Sequence, residues 1–535
     1  MKFANAFTSL ILIFGATPQV LFAAEGDGVE ENDAKEASAQ AAVPEPSEPP
    51  LSATPAAAPA APEAAVESAL AVNELVGRPG GLTSDEAARQ AAAYTKDAAL
   101  AQADVESAHA QKDQVLYGYL PRVTLTASYT RQSNVQSDFG FGQGSLVGTS
   151  SAPGPLPDDA ELFGLDTSGF NFNPLPNNWF MNAGLVVPIS DYLFSFSQAI
   201  TGVKAATRAA KLNKRAARLN AAANARLAYY EWARTRLRVA EAKSSVERAR
   251  AQLENLRRLQ EGGRVARADV LRQDAFLANA ELNLRRAETR EVVASKSLQV
   301  LMDGGKRKVP NWEIGENVLE DRAADRTPLS PLEQMEREAL SQRLEIQALE
   351  HTAFALGQQR TVDKASGYPR IEGFANLTYA NPNPRFQPPT NAWNGSWDLG
   401  VRLSWTINDL GSSRATSQVT TTEITKVELQ KAQIADALHT EVLSARQSLE
   451  EARLAQVSAQ RGVAAAEAAY QDVVQLSQNG RKTTLDVLQS ENALVTARVN
   501  LIDAYIGLRQ AEVRLEHALG ADAVSQESAA HDVTK

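Results

Sequence analysis

The sequence predicts a mainly α-helical chain that carries a membrane β-barrel component and is built as an internal two-fold repeat. Three observations carry that reading. Residues 203–261 and 412–461 are rich in alanine and contain no glycine or proline, which marks unusually long helices. Four stretches alternate apolar and polar side chains with a period of two, the mark of strands with one face in each environment. Finally, "GGRVARADVL" at 262–271 returns as "NGRKTTLDVL" at 479–488, with the aspartates offset by 486 − 269 = 217 residues.

The elements follow in order. Residues 1–24 combine one lysine, the apolar run 10–14 and small residues at Ala23 and Ala24, and read as a cleaved secretory signal. Residues 25–75 form an Ala/Pro/Glu-rich leader expected to be disordered. Its first part, 25–50, has eight acidic residues and one lysine, a net of −7 within a chain total of −10. No later stretch has the roughly 18 to 20 consecutive apolar residues of a spanning helix, so any membrane crossing by the mature chain is made of strands. The chain has no cysteine, which rules out disulfides and a lipid-bearing N-terminal cysteine.

The first repeat, 82–305, opens on "TSDE" at 83–86, and the second, 330–521, on "SPLE" at 330–333. Both fit capping-box spacing, the second with Pro331 at the first helical position. Each opening helix runs to a proline, 121 − 83 = 38 and 369 − 330 = 39 residues on. Strands are predicted at 123–130, 180–189, 370–379 and 398–407, each long enough to cross a bilayer when tilted. Gly-, Pro-, Ser- and Asn-rich loops, 131–178 and 381–395, join the strands of each half and suit a barrel's outer rim. Beyond them, 191–263 would make about 100 Å of helix at about 1.5 Å per residue. Residues 306–329 connect the repeats, and 522–535 form a tail expected to be disordered.

Long helices with an apolar stripe imply close packing in a coiled-coil-like wall. A filamentous coiled coil would account for the helices but not for the strands. Four strands cannot close a barrel, and an open edge in lipid leaves backbone groups unpaired, so the chain must oligomerise. Geometry permits a dimer of eight strands or a trimer of twelve.

In both halves, from 82 to 521, the residues resemble the TolC family of outer-membrane efflux channels. The resemblance is carried by "LPRV" and "YPRI" at the strand starts, "VPISD" and "WTIND" at the strand-to-helix junctions, the two glycine motifs, and "RLEHALGAD" at the close. It implies a homotrimer with a twelve-stranded barrel in outer-membrane lipid above a long α-helical periplasmic barrel. Cargo would pass through after docking to a periplasmic adaptor (a membrane fusion protein) and an inner-membrane transporter.

The glycine motifs are the expected tips, where each long helix reverses. Gly263 and Gly480 permit the positive-φ cap such a reversal needs, Thr483 and Asp486 have N-cap spacing, and Asp269 and Asp486 both suit a helix N-terminus. The resemblance implies further roles. Asp486 would belong to an acidic ring narrowing the mouth, Lys482 would be a latch and Asp269 its partner. Three Asp486 carboxylates on one axis would repel one another and raise their own pKa values. Gln489 stands where the family has a second ring aspartate, and Ser477 where it has a tip tyrosine. Gly263, Arg264, Val265, Gly480 and Arg481 are candidates for adaptor docking; the alternative is solvated charge at a helix end.

Arg402 alternates with apolar neighbours and is expected to face the barrel lumen. Trp179, Trp393, Trp397 and Trp405 flank the strands as girdle candidates, with simple strand packing as the alternative. The five histidines are scattered and no phosphate loop or metal-ligand spacing occurs, so no catalytic residue, metal or cofactor is expected. No aromatic platform accompanies the tip cations, which argues against nucleic acid. The function expected is an exit duct for efflux or type I secretion; the alternative is a periplasm-spanning envelope protein with a structural role only.

Overall fold

A computed structural model of the protein describes residues 76–133, 146–148, 158–164, 175–305, 312–320, 328–387 and 389–521. The signal segment 1–24, the leader 25–75, the tail 522–535 and much of the loop 131–178 and of the connector 306–329 lie outside the described residues.

The first half runs α1 (Ser84–Tyr94), α2 (Lys96–Gly118), β1 (Arg122–Arg131), the short strands β2 (Leu146–Gly148) and β3 (Leu162–Gly164), β4 (Asn177–Pro188), α3 (Ile189–Phe194), α4 (Phe196–Glu261) and α5 (Arg267–Asp303). The second runs α6 (Leu332–Gln342), α7 (Leu344–Ala365), β5 (Arg370–Asn381), β6 (Asn394–Ser404), α8 (Asn408–Gln478) and α9 (Thr484–Leu519). Helix α4 has 66 residues and α8 has 71, so each spans about 100 Å at about 1.5 Å per residue. The predicted strands and long helices are therefore present in the expected order.

Two boundaries differ from the sequence expectation. At "SPLE", Ser330 is not the cap: Pro331 takes that place, its extended backbone presenting a carbonyl that accepts from the N–H of Gln334 and Met335 at 3.0 and 3.2 Å. At "TSDE", Thr83 does cap, accepting from the Glu86 N–H at 3.2 Å. Strand β6 ends at Ser404 instead of continuing to 407, because its partner β5 begins at Arg370, after a proline with no N–H to offer. Trp405 instead donates its indole N–H to the Gly367 carbonyl at 3.2 Å, and Ile407 caps α8.

The four long strands form one antiparallel sheet in the order β1-β4-β5-β6, so the two halves meet at the β4–β5 pair and β1 and β6 are its edges. Below it, α4 packs on α2, α5, α7 and α9, and α8 on α7 and α9. Buried alanines along α4, among them Ala205, Ala209, Ala225, Ala233 and Ala249, leave room for close helix contact. Midway, Tyr229 and Trp232 are fully buried, and Tyr229 donates its hydroxyl hydrogen to the Leu82 carbonyl at 2.9 Å. Leu82 in turn bridges to Ile314 in the connector. A further core joins α6 to α8 and α9 through Met335, Ala339, Val442, Leu449, Leu508 and Leu515.

Candidate functional site

The register of the sheet sorts its side chains into two faces. On one, Val123, Leu125, Ala127 and Tyr129 lie beside Leu185, Ala183, Met181 and Trp179; these neighbour Ala375, Leu377 and Tyr379, and finally Leu399 and Trp397. On the other lie Thr124, Thr126, Ser128 and Thr130, Asn178 and Asn182, Asn376 and Thr378, and Ser396, Asp398 and Arg402. The apolar face is exposed despite its chemistry: Leu125 is 81% exposed, Leu399 75% and Trp397 71%. In water such a face would be strongly unfavourable; against hydrocarbon it is satisfied.

Aromatic rings gather at both ends of the strands. At one end Trp179 contacts Tyr129 and Trp393 at 4.5 and 6.5 Å between centroids, and Trp393 stacks on Tyr379 at 5.0 Å. At the other, Tyr119 meets Phe196 at 5.1 Å and Phe194 meets Tyr368 at 5.6 Å. Ten residue steps at about 3.4 Å, tilted by about 40°, separate the two groups by roughly 25 Å, the height of a membrane barrel's apolar band. Among the described residues no helix is long and apolar enough to cross a membrane.

The polar face carries ordered charge. Asp398 accepts from Asn376 at 2.8 Å and from Arg385 at 2.9 Å, and the Arg402 guanidinium sits 4.9 Å from the centre of the Phe374 ring.

At the far end of the helices the two motifs build the same reversal. Gly263 and Gly480 have φ of 70° and 71°. The next residues, Arg264 and Arg481, donate their N–H to the carbonyls of Leu259 and Leu476, each at 2.9 Å. The glycines donate to Gln260 and Ser477, also at 2.9 Å. Both are complete Schellman caps, which need a glycine at the left-handed position.

The sequence profile of the outer membrane efflux protein family matches residues 87–304 and 336–521. The chain belongs to the outer membrane efflux protein family. Solved structures agree on the fold. The outer-membrane channel OprN aligns at 20% identity over 82% of this chain and 89% of its own, with a TM-score of 0.60. The Campylobacter jejuni CmeC outer membrane channel aligns at 16% identity over 84% and 91%, with a TM-score of 0.63. The Neisseria gonorrhoeae MtrE channel, in its open state, aligns at 16% identity over 82% and 88%, with a TM-score of 0.62. A search of curated protein sequences returned no match. As a member of this family, the chain is an outer-membrane protein.

Gly263, Arg264, Gly480 and Arg481 are exposed, and a Cβ at either positive-φ glycine would meet open space. Val265 turns inward, packing on Leu253, Leu256 and Val270. Thr483 and Asp486 complete a reciprocal capping box: the Thr483 N–H donates to Asp486 Oδ2 at 2.9 Å, and the Asp486 N–H donates to Thr483 Oγ1 at 3.2 Å. The bonds from Thr483 hold the Asp486 carboxyl below its ordinary pKa. Lys482 lies 3.7 Å from Asp486, whereas Asp269 pairs with Arg272 at 2.7 Å. Within one chain Lys482 and Asp269 are thus engaged separately. The first tip has Ala266 where the second has Thr483, so Asp269 has no hydroxyl partner and turns to its own helix. Gln489 is exposed one turn beyond Asp486.

One group was missed in the sequence. Glu241 and Arg248 on α4, Glu467 on α8, and Glu491 and Arg498 on α9 form an ionic cluster across the two helical hairpins. The available signal was a charge reversal. Arg250–Glu281 in the first half and Glu467–Arg498 in the second are both 2.6 Å pairs, related by 467 − 250 = 498 − 281 = 217. The same salt bridge is built twice with opposite polarity.

Proposed function

We propose that the protein is the outer-membrane exit duct of a tripartite efflux or type I secretion system. In this reading it acts as a homotrimer whose twelve strands close one barrel in outer-membrane lipid. The observation that supports it best is the sheet itself: one apolar face, one polar face, and two edges, β1 and β6, that are unpaired among the described residues and that further copies of the chain would cover. The polar face then lines the pore, with Arg402 and Asp398 among its charges. Such a chain is a passive conduit and not an enzyme; cargo choice rests with the inner-membrane pump.

At the periplasmic end, Asp486 narrows the mouth, with Gln489 in place of a second acidic ring. The exposed tips, Gly263, Arg264, Gly480 and Arg481, with Val265 supporting the first from beneath, dock the adaptor. Since Lys482 and Asp269 are engaged separately within a chain, a latch between them would join neighbouring protomers. Mass measurement of the detergent-solubilised protein by light scattering tests the assembly. A trimer is expected, and a stable monomer retaining its full β content would refute it.

A further inference from the structure

The ionic cluster between the hairpins has an unusual balance. It holds three carboxylates, Glu241, Glu467 and Glu491, against two guanidiniums, Arg248 and Arg498, for a net charge of −1 when all are ionised. Two of the carboxylates are almost wholly buried, the Glu241 side chain at 1% exposure and Glu491 at 2%. Arg248 lies 2.9 Å from Glu241 and 3.7 Å from Glu491; Arg498 lies 3.8 Å from Glu241 and 2.6 Å from Glu467. Even so, among the described residues Glu241 Oε2 and Glu491 Oε1 accept no hydrogen bond, and Arg248 Nε and Arg498 Nε donate none. Buried polar atoms without partners are costly, and a proton on Glu491 would remove the cluster's excess negative charge.

We propose that Glu491 and Glu241 form a proton-operated clasp that holds the α8–α9 tip against α4, closing the periplasmic mouth when the cluster is protonated. This rests on the tips being the channel mouth, as proposed above. Glu491 is five residues along α9 from Asp486, about 8 Å from the cap. The groups facing it are Arg248 and Glu241 from α4, Glu467 and Tyr470 from α8, and Arg498 from its own helix. Burial, opposed by Arg248 and reinforced by Glu241, raises the Glu491 pKa. Because the pKa is raised with the cluster packed as it is here, the packed form's advantage is complete below the ordinary glutamate value. It is lost as pH rises through the raised value. This is the reverse of the usual salt-bridged carboxylate: acid tightens the clasp and rising pH loosens it.

The chain has no cysteine, so a pair introduced at Glu261→Cys and Gln478→Cys can be spin-labelled without background. Distances between the two tips are then read in the full-length trimer between about pH 5 and about pH 8, alongside single-channel conductance. The closed-to-open ratio should fall by up to about tenfold per pH unit across the titration, one proton being released. Glu491→Gln and Glu241→Gln each remove the excess negative charge, and either should hold the tips closed throughout the range. The clasp is refuted if wild-type distances do not change with pH, or if both variants still open in parallel with wild type. pH-dependent distances with silent bilayers would instead overturn the channel reading and leave the clasp standing.

Discussion

Leu399 lies at the midpoint of β6, the edge strand Asn394–Ser404, on the apolar face beside Ala375. Its 75% exposure means that little packing is lost when it is replaced, so Leu399→Arg isolates the cost of a charge on that face. At the bilayer midplane an outward arginine costs about 2–4 kcal/mol per chain. At about 1.4 kcal/mol per tenfold, the inserted fraction should fall roughly 30- to 700-fold per chain. Thr126→Arg is the matched control: Thr126 is near the middle of β1 but points with Asn182 to the polar face, so its cost should be near zero. Urea titration of each variant reconstituted into phospholipid vesicles, followed by the heat-resistant oligomer on gels, measures the difference. The assignment of faces is refuted if Leu399→Arg inserts as stably as wild type, or if Thr126→Arg is equally damaging.

Two further perturbations probe the helical body. Arg498→Ala should destabilise the protein by about 3–5 kcal/mol, because it leaves Glu241 buried with one fewer counter-ion and Glu467 without its 2.6 Å partner. Arg250→Ala breaks the polarity-reversed equivalent but should cost less than about 1 kcal/mol, since that pair is 63% and 47% exposed. Equal costs in urea unfolding would show that burial does not distinguish them. Thr483→Ala removes the hydroxyl of the capping box and should cost about 1 kcal/mol locally, seen as faster amide exchange in the first turn of α9 with little change in trimer melting.

Much of this architecture was legible in the sequence because its periods are long and uninterrupted. Four period-two stretches and two glycine- and proline-free stretches gave the strands and helices their order, and the glycines placed both reversals. The errors at Ser330 and Trp405 are boundary effects, set by which carbonyl first accepts a helical bond and by where the partner strand begins. Side-chain partnerships were harder to read. The Lys482 and Asp269 charges were visible, but their local engagement with Asp486 and Arg272 depends on three- and four-residue helical spacing at each tip. Val265 looked like a surface residue beside arginines and proved to be a packing residue. The buried cluster was least legible, since Glu241 and Glu491 are far apart in sequence and meet only where α4 and α9 pack.

In the proposed function this sheet and these tips are the two ends of one conduit. Single-channel recording of the purified trimer in planar lipid bilayers tests it most directly, comparing wild type with the double variant Lys482→Ala, Asp269→Ala. Discrete unitary steps are expected from wild type, with larger steps from the double variant, which lacks the proposed latch residues. Silent bilayers, with the trimer shown by protease protection to be inserted, would contradict the claim.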